Sequence, residues 1–389
     1  MVPVTILPSI LPHDLVAEIL SFLDVKSLTK LKCVSKSWNS LISDPIFVQM
    51  HLKKSSQNPH ITLCSSNDGF FTLHPFPIRS LLENRFMDHP DHYQFVDRGC
   101  NGFVGSCNGL ICMLSDRIDG KYQSSCLRFW NPATRSVSKR LGYSYVELRV
   151  RHLYLKFSFG YDNTTGKYKV VAYSPGIAKV FSLGDHVWKS IESFPSTPFR
   201  CTRSARTGLD QNGGVYFSNS LNWFTLCNNI VYLYSDWKDL NDTIEQFGII
   251  SLDLGTEECT QLLVPLDFDE IPPIMPIVCV LADCLCFCHY SKENDFVIWQ
   301  MKKFRVEESW TMFLKFSYQN ICIGSSYFED RHLFPLYLSE NCNTLILVSD
   351  RGHVVCYNKK DNRVERSDLT RGIYRLVAKD YIESLVSAC

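Results

Sequence analysis

From residue 61 to the C-terminus the chain is a succession of short apolar runs separated by turn signals, with almost no helical rhythm. Runs such as "ITLCSS", "GLICML", "YKVVAY" and "TLILVS" have strand length and β-branched or aromatic content. No helices alternate with them, so a parallel sheet has no connections to build it, and the remaining solutions are all-β. A loose repeat runs through the same region. A strand ends on an aromatic or leucine, an Asn or Asp follows, and after a few turn residues a second strand begins: "FWNPATRSV", "GYDNTTGKY", "SLDLGTEEC" and "CYNKKDNRV". Weaker copies are "FSLGDHVWKSI" and "WQMKKFRVEESW".

With the Asp162 copy assigned to its neighbour's unit, the anchors fall near 131, 182, 253, 300 and 358. Their separations, roughly 47 to 71 residues, lie at and above the blade size of a kelch-type propeller. A four-stranded blade has an apolar face that radial stacking covers, so a propeller suits the pattern. Five units span 102 to 369. Pairing of an early strand (61 to 73) with the last segment (374 to 387) makes six blades, and seven is the alternative count. A pair of β-sandwiches is the other architecture compatible with these strands.

Ahead of this region stands a helical stretch, "LPHDLVAEILSFLDVKSL" (11 to 28). On a helical wheel Leu15, Val16, Ile19, Leu20, Phe22 and Leu23 share an arc of roughly 160°, opposite Asp14, Ala17, Glu18 and Ser21. That arc is wider than one face packed on a small core needs. Asp24 and Ser35 are placed to cap second and third helices, and Asp44-Pro45 to open a fourth. Three or four short helices in about 45 residues sit near the lower limit of independent stability. Such a module is expected to finish burying its surface elsewhere, on its own β domain or on another protein.

Composition narrows the function classes. Lys plus Arg equals Asp plus Glu at 40 each, so no broad positive field exists to hold nucleic acid. The seventeen cysteines are an odd number in a long chain, and "MVPVTILPSILP" lacks a basic start and carries three prolines, so free thiols in a reducing compartment are expected. The most apolar window, "PIMPIVCVLADCLCFC", is too short and too interrupted to span a membrane. No phosphate loop, dinucleotide fingerprint or catalytic triad order stands out, and no cofactor is expected.

Taken together, Leu11-Pro12, Asp14-Leu15, Glu18-Ile19-Leu20, Leu23, Ser27-Leu28, Cys33 through Trp38, Leu41-Ile42, Asp44-Pro45 and Phe47 resemble the F-box as found in large plant families. Asp24 departs from that pattern, which usually has proline there. "VGSCNGLICM", "FWNPATR", "FGYDNTTGKYKVV", "SLDLGTEE" and "VIWQMKKFRVEESWT" are similar, in order, to the F-box-associated domain of plant F-box/kelch-like proteins, a group that includes the S-locus F-box proteins. The resemblance implies an F-box over 8–52, a linker over 53–60, and a propeller-like target-binding domain over 61–387. It also implies docking onto a Skp-type adaptor, and through it onto a cullin and a RING subunit of a ubiquitin ligase, with an unidentified protein as target. Leu11, Pro12, Leu15, Ile19, Leu20, Leu28, Val34 and Trp38 match motif positions that either meet the adaptor or hold the helices that do. The chain is then a non-catalytic receptor of the cytoplasm or nucleus. Its rivals are an adaptor-binding protein that never joins a cullin and a propeller enzyme using Cys107.

Three features invite other readings. "GSCNG" (105 to 109) sets Cys107 between glycines like a nucleophile elbow, but the "LICML" that follows is strand-like where an elbow needs a helix, so a tight hairpin is expected. Cys279, Cys284, Cys286, Cys288 and His289 are the densest run of metal-ligating types, yet they lack paired Cys-x₂-Cys knuckles, and alternation puts Cys284, Cys286 and Cys288 on one face as packing thiols. The six tryptophans from Trp130 to Trp310 are expected to pack blades, with one or two on the rim.

Overall fold

The computed structural model describes residues 11–55, 60–67, 70–79, 94–147, 155–174, 176–192, 194, 213–226, 246–268, 270–293, 295–317, 333–339, 341–349, 354–367 and 377–388. The head holds α1 (His13–Leu20), α2 (Val25–Leu31), α3 (Lys36–Ser43) and α4 (Pro45–Ser55). The capping residues named from sequence do that work. Asp24 Oδ1 accepts the Ser27 amide at 2.6 Å, Ser35 Oγ accepts that of Trp38 at 3.1 Å, and Asp44 Oδ1 accepts that of Ile46 at 2.7 Å. The aspartate at position 24 therefore opens α2 without proline. α4 runs on through Lys53, Lys54 and Ser55 and strand begins at His60, so both ends of the segment read as a linker belong to regular elements, and 56–59 lie outside the described residues. Two lysines suit the last turn of a helix because they face its negative end.

The β region is a six-bladed propeller. Blade 1 contains β1 (His60–Asn67), β2 (Phe70–Pro77) and β3 (Phe95–Asp97); blade 2 contains β4 (Gly102–Cys107), β5 (Leu110–Asp119), β6 (Tyr122–Asn131), β7 (Ser136–Val137) and β8 (Leu141–Glu147). Blade 3 is β9 (Lys156–Asp162), β10 (Lys167–Ser174), β11 (Ile177–Ser182) and β12 (Trp188–Ser190). Blade 4 is β13 (Val215–Phe217), β14 (Ser220–Leu226), β15 (Phe247–Asp253) and β16 (Cys259–Leu263). Blade 5 is β17 (Ile277–Leu281), β18 (Cys284–Tyr290), β19 (Asp295–Met301) and β20 (Trp310–Ser317). Blade 6 is β21 (Leu333–Leu338), β22 (Thr344–Ser349), β23 (Val354–Asn358) and β24 (Arg363–Ser367). The last strand, β25 (Val377–Tyr381), pairs antiparallel with β1 and completes blade 1. The expected pairing of early and late segments is thus observed, though among the described residues of the late segment only 377–381 is strand and 382–388 has no regular structure.

Six apolar clusters fill the six gaps between successive blades, from Trp130 and Phe71 between blades 1 and 2 round to Ile61 and Ile346 between blades 6 and 1. Radial burial of this kind excludes a pair of sandwiches, which has two apolar cores and not six. Because each blade is covered on both faces, its inner strands are buried almost throughout, as in β10 and β14. Such strands read as continuous apolar runs rather than as strict alternation.

The repeated motif is a hairpin device. Asn131, Asp253 and Asn358 end the third strands of blades 2, 4 and 6, while Asp162 ends the first strand of blade 3, the unit that also holds Ser182. In each, one side-chain oxygen accepts the amides two and three residues on, as Asp253 does from Gly255 at 2.8 Å and Thr256 at 3.0 Å. The fourth residue on then takes a left-handed conformation: Arg135, Gly166, Glu257 and Asn362 have φ between 51° and 70°. The weaker copies keep this spacing with His186 and Arg305, four residues after Ser182 and Met301.

Candidate functional site

The head divides its apolar residues between two tasks that the sequence left undivided. Leu20 and Leu28 are 4 % and 0 % exposed and form a small core with Val25, Ile42 and Phe47. Trp38 is half-buried against that core. Leu11, Leu15, Ile19 and Val34 are instead 56 %, 48 %, 58 % and 65 % exposed, and Pro12 is exposed beside them. Leu11, Pro12, Leu15 and Ile19 belong to α1 and its N-terminal flank, whereas Val34 follows α2.

The inward face of α1 differs from the helical-wheel reading. Ala17 and Ser21 turn toward the core with Leu20, while Phe22 is 71 % exposed. Ser21 Oγ donates to the Glu18 carbonyl at 2.6 Å and accepts from Lys54 Nζ at 2.7 Å, so the hydroxyl is satisfied where it is buried. Lys54 also lies 3.4 Å from the centroid of the Phe22 ring. Ile46, 80 % exposed in the first turn of α4, was not singled out from sequence, although an isoleucine directly after Asp44-Pro45 on an outward first turn was a usable signal.

The head is seated on the propeller by its own tail. Leu385 and Ala133 complete the head core. Asn131 Nδ2 donates to the carbonyls of Ser384 at 2.9 Å and Val386 at 2.7 Å, which fixes the tail across the blade 2 hairpin. His60 Nε2 lies 4.0 Å from Glu383, whose carboxyl is pushed up by burial and by Asp24. This seating leaves the outer face of α1 open.

The other candidates resolve into structure. Cys107 closes β4, Asn108 and Gly109 take φ of 48° and 78°, and β5 follows at once, so the glycines serve a tight hairpin. Cys279 and Cys286 are cross-strand partners on β17 and β18, and Cys279 Sγ lies 3.6 Å from Cys288 Sγ within the core between blades 5 and 6. Burial pushes the Cys286 and Cys288 thiols up. His289 points to the opposite face, where Trp299 Nε1 lies 3.2 Å from its Nε2. Among the described residues no three His, Cys, Asp or Glu side chains gather as a metal site. Trp130, Trp223 and Trp299 are buried blade-packing residues, Trp188 and Trp310 are half-buried, and Trp237 lies outside the described residues.

Comparison with known proteins matches these two parts. Residues 8–49 fit the F-box domain and residues 60–232 the F-box associated beta propeller domain. An F-box protein of Arabidopsis thaliana is 30 % identical over 76 % of this chain and 67 % of its own length. This chain belongs to the F-box proteins. An Arabidopsis F-box/kelch-repeat protein is 28 % identical over 92 % of this chain and 90 % of its own, and the Arabidopsis F-box protein CPR1 is 26 % identical over 97 % and 89 %. In this F-box protein the ring continues to Tyr381, well past the end of the matched propeller region.

Proposed function

We propose that the chain is the receptor subunit of an SCF-type ubiquitin ligase, with the F-box docked on a Skp-type adaptor and the propeller holding the protein to be modified. The observation that carries this reading is the open apolar face of α1, where Leu15 and Ile19 stay about half exposed although the helix is already packed on both its own core and the tail. Leu11, Pro12, Leu15, Ile19 and Val34 then meet the adaptor, while Leu20, Leu28 and Trp38 hold the helices that present them. The receptor contributes no bond chemistry in this scheme. It raises the effective concentration of a target lysine near a ubiquitin-charged enzyme. The reading places the protein in the cytoplasm or nucleus.

The test is capture of a purified Skp-type adaptor by the full chain and by the double variant Leu15→Asp, Ile19→Asp. Wild type is expected to bind and the variant to lose binding while its melting profile is retained. Binding by the variant at wild-type strength overturns the reading. Recovery of adaptor without cullin, where a known receptor recovers both, favours an adaptor-binding protein that acts outside a ligase.

A further inference from the structure

We infer that Asn131 is a positioning residue. Acting through the tail, it fixes the direction in which the propeller projects from the docked head, and it takes no part in adaptor capture. The inference rests on the receptor reading above and adds the device that aims the target.

Two folded bodies joined by one stretch of chain move against each other unless their interface prevents it. Here the chain crosses once, from α4 into β1. Two further contacts come from the propeller side, because the apolar core of the head is completed by Leu385 of the tail and Ala133 of the blade 2 hairpin. A single covalent crossing leaves the head free to swivel, and each further contact removes part of that freedom.

One side chain organises both contacts. Asn131 is buried at the end of β6. Its Nδ2 donates to the carbonyls of Ser384 at 2.9 Å and Val386 at 2.7 Å, the residues on either side of Leu385, so the leucine is held from both flanks. Its Oδ1 accepts the amide of Ala133 at 3.0 Å, and the same amide lies 3.3 Å from the Tyr381 hydroxyl. Past the leucine, Val386 and Ala388 pack into the apolar cluster between blades 2 and 3. The segment that carries Leu385 thus belongs to the propeller, while Leu385 itself belongs to the head.

The residue type matters. In the hairpins at Asp162 and Asp253 the same role falls to a carboxylate, which caps its turn equally well but has no N–H to give. The amide at 131 does both: its oxygen caps the turn and its nitrogen holds the tail. The seat is also separate from the docking face. Leu385 and Ala133 meet the buried side of the head, whereas Leu15 and Ile19 stay open on α1. Loosening the seat therefore changes where the propeller points before it changes what the head binds.

Asn131→Asp is the near-isosteric test, since it keeps the turn cap and loses both bonds to the tail. Leu385→Ala loosens the seat from the other side, and Leu385→Met keeps it filled. Each full-length protein is treated with a lysine-directed cross-linker, alone and bound to purified Skp-type adaptor. Links from the exposed head lysines Lys26, Lys30 and Lys36 to lysines of the propeller are mapped by mass spectrometry. The same proteins are then assembled with cullin, RING subunit and ubiquitin-charged enzyme but no target, so that the propeller's own lysines report where it is held. Asn131→Asp and Leu385→Ala are expected to capture adaptor within about twofold of wild type, because well-separated sites act independently. Both are expected to add head-to-propeller links that wild type does not form and to spread ubiquitin over lysines that wild type leaves unmodified, while Leu385→Met keeps the wild-type patterns. Wild-type links in both Asn131→Asp and Leu385→Ala overturn the inference, and so does a widened set of links with an unchanged ubiquitin pattern. A loss of adaptor capture beyond roughly tenfold in Asn131→Asp overturns it too, by assigning the residue to the folding of the head. If wild type captures no adaptor or passes on no ubiquitin, the receptor reading falls instead, and the links made by the free chain still decide whether Asn131 fixes the seat.

Discussion

Lys169 Nζ, on blade 3, lies 2.9 Å from Glu257 Oε1 on blade 4. It also lies 3.2 Å from Asp162 Oδ2 in its own blade and donates to the Leu254 carbonyl across the gap. A single buried ammonium thus joins two neighbouring blades and the two asparagine-like hairpins at Asp162 and Asp253. Burial works against ionisation of Asp162, but the hydroxyl and amide of the Thr164-Thr165 turn together with Lys169 hold its carboxyl below the usual range. Lys169→Met keeps much of the packing and leaves Asp162 fully buried without its cation. Removal of one partner from a buried pair costs about 3–5 kcal/mol. A drop of that size in urea unfolding is expected, and a change below about 1 kcal/mol would show the pair contributes little.

The two classes of apolar residue in the head should separate in stability measurements. Leu28→Ala empties a fully buried position and is expected to cost about 2–5 kcal/mol in the unfolding of the head. Ile19→Ala removes a side chain that is 58 % exposed and is expected to change stability by no more than about 0.5 kcal/mol. The second variant is nevertheless the one that should weaken adaptor capture. Amide hydrogen exchange of α1 to α4 in rising denaturant, read by mass spectrometry in the otherwise unaltered full chain, measures both.

Local chemistry was legible in the sequence, and long-range seating was not. Asp24, Ser35 and Asp44 cap helices through their own side chains within three residues, so spacing alone announced them. Asn131, Asp162, Asp253 and Asn358 were readable for the same reason, and they gave the blade repeat. The phase of α1 was not readable. Ala17 and Ser21 face inward because the lysine at 54 and the tail at Leu385 are there to meet them, and a helical wheel contains neither.

The tail should fail as a unit when its seat is altered. Asn131→Ala removes the donor to the Ser384 and Val386 carbonyls, and each buried carbonyl left without it costs about 1–3 kcal/mol. Gly109→Ala acts on the same segment by a different route. Its Cβ would fall 2.6 Å from the Ile382 carbonyl oxygen and 2.2 Å from Ser384 Oγ, at a φ of 78° that disfavours any side chain. Both variants are expected to raise hydrogen exchange at 382–388 and in α1 together. Faster exchange in the tail alone would show that the head holds its place without it.

Acidification should loosen the head through His51. The ring is buried, with Nε2 2.9 Å from the Leu23 carbonyl and Nδ1 3.3 Å from Ser55 Oγ. A carbonyl can only accept, so Nε2 carries the proton and Nδ1 accepts from the serine hydroxyl, an arrangement complete in the neutral form. Burial lowers the affinity of the ring for a second proton, and the opposing pulls of the Leu23 carbonyl and Asp24 do not restore it. The folded head therefore binds protons less readily than the unfolded chain. The stabilisation from neutral His51 is complete above the ordinary imidazole value near 6.5 and declines as pH falls through it toward the depressed folded value. Glu383 acts in the opposite sense: its raised carboxyl favours the protonated state, so its contribution grows as pH falls toward the ordinary carboxylate range. Between pH 7.5 and 5.5 the histidine is expected to dominate the head. The denaturant midpoint of wild type should fall over that interval by more than the midpoint of His51→Gln, and equal falls would assign the pH dependence to other groups.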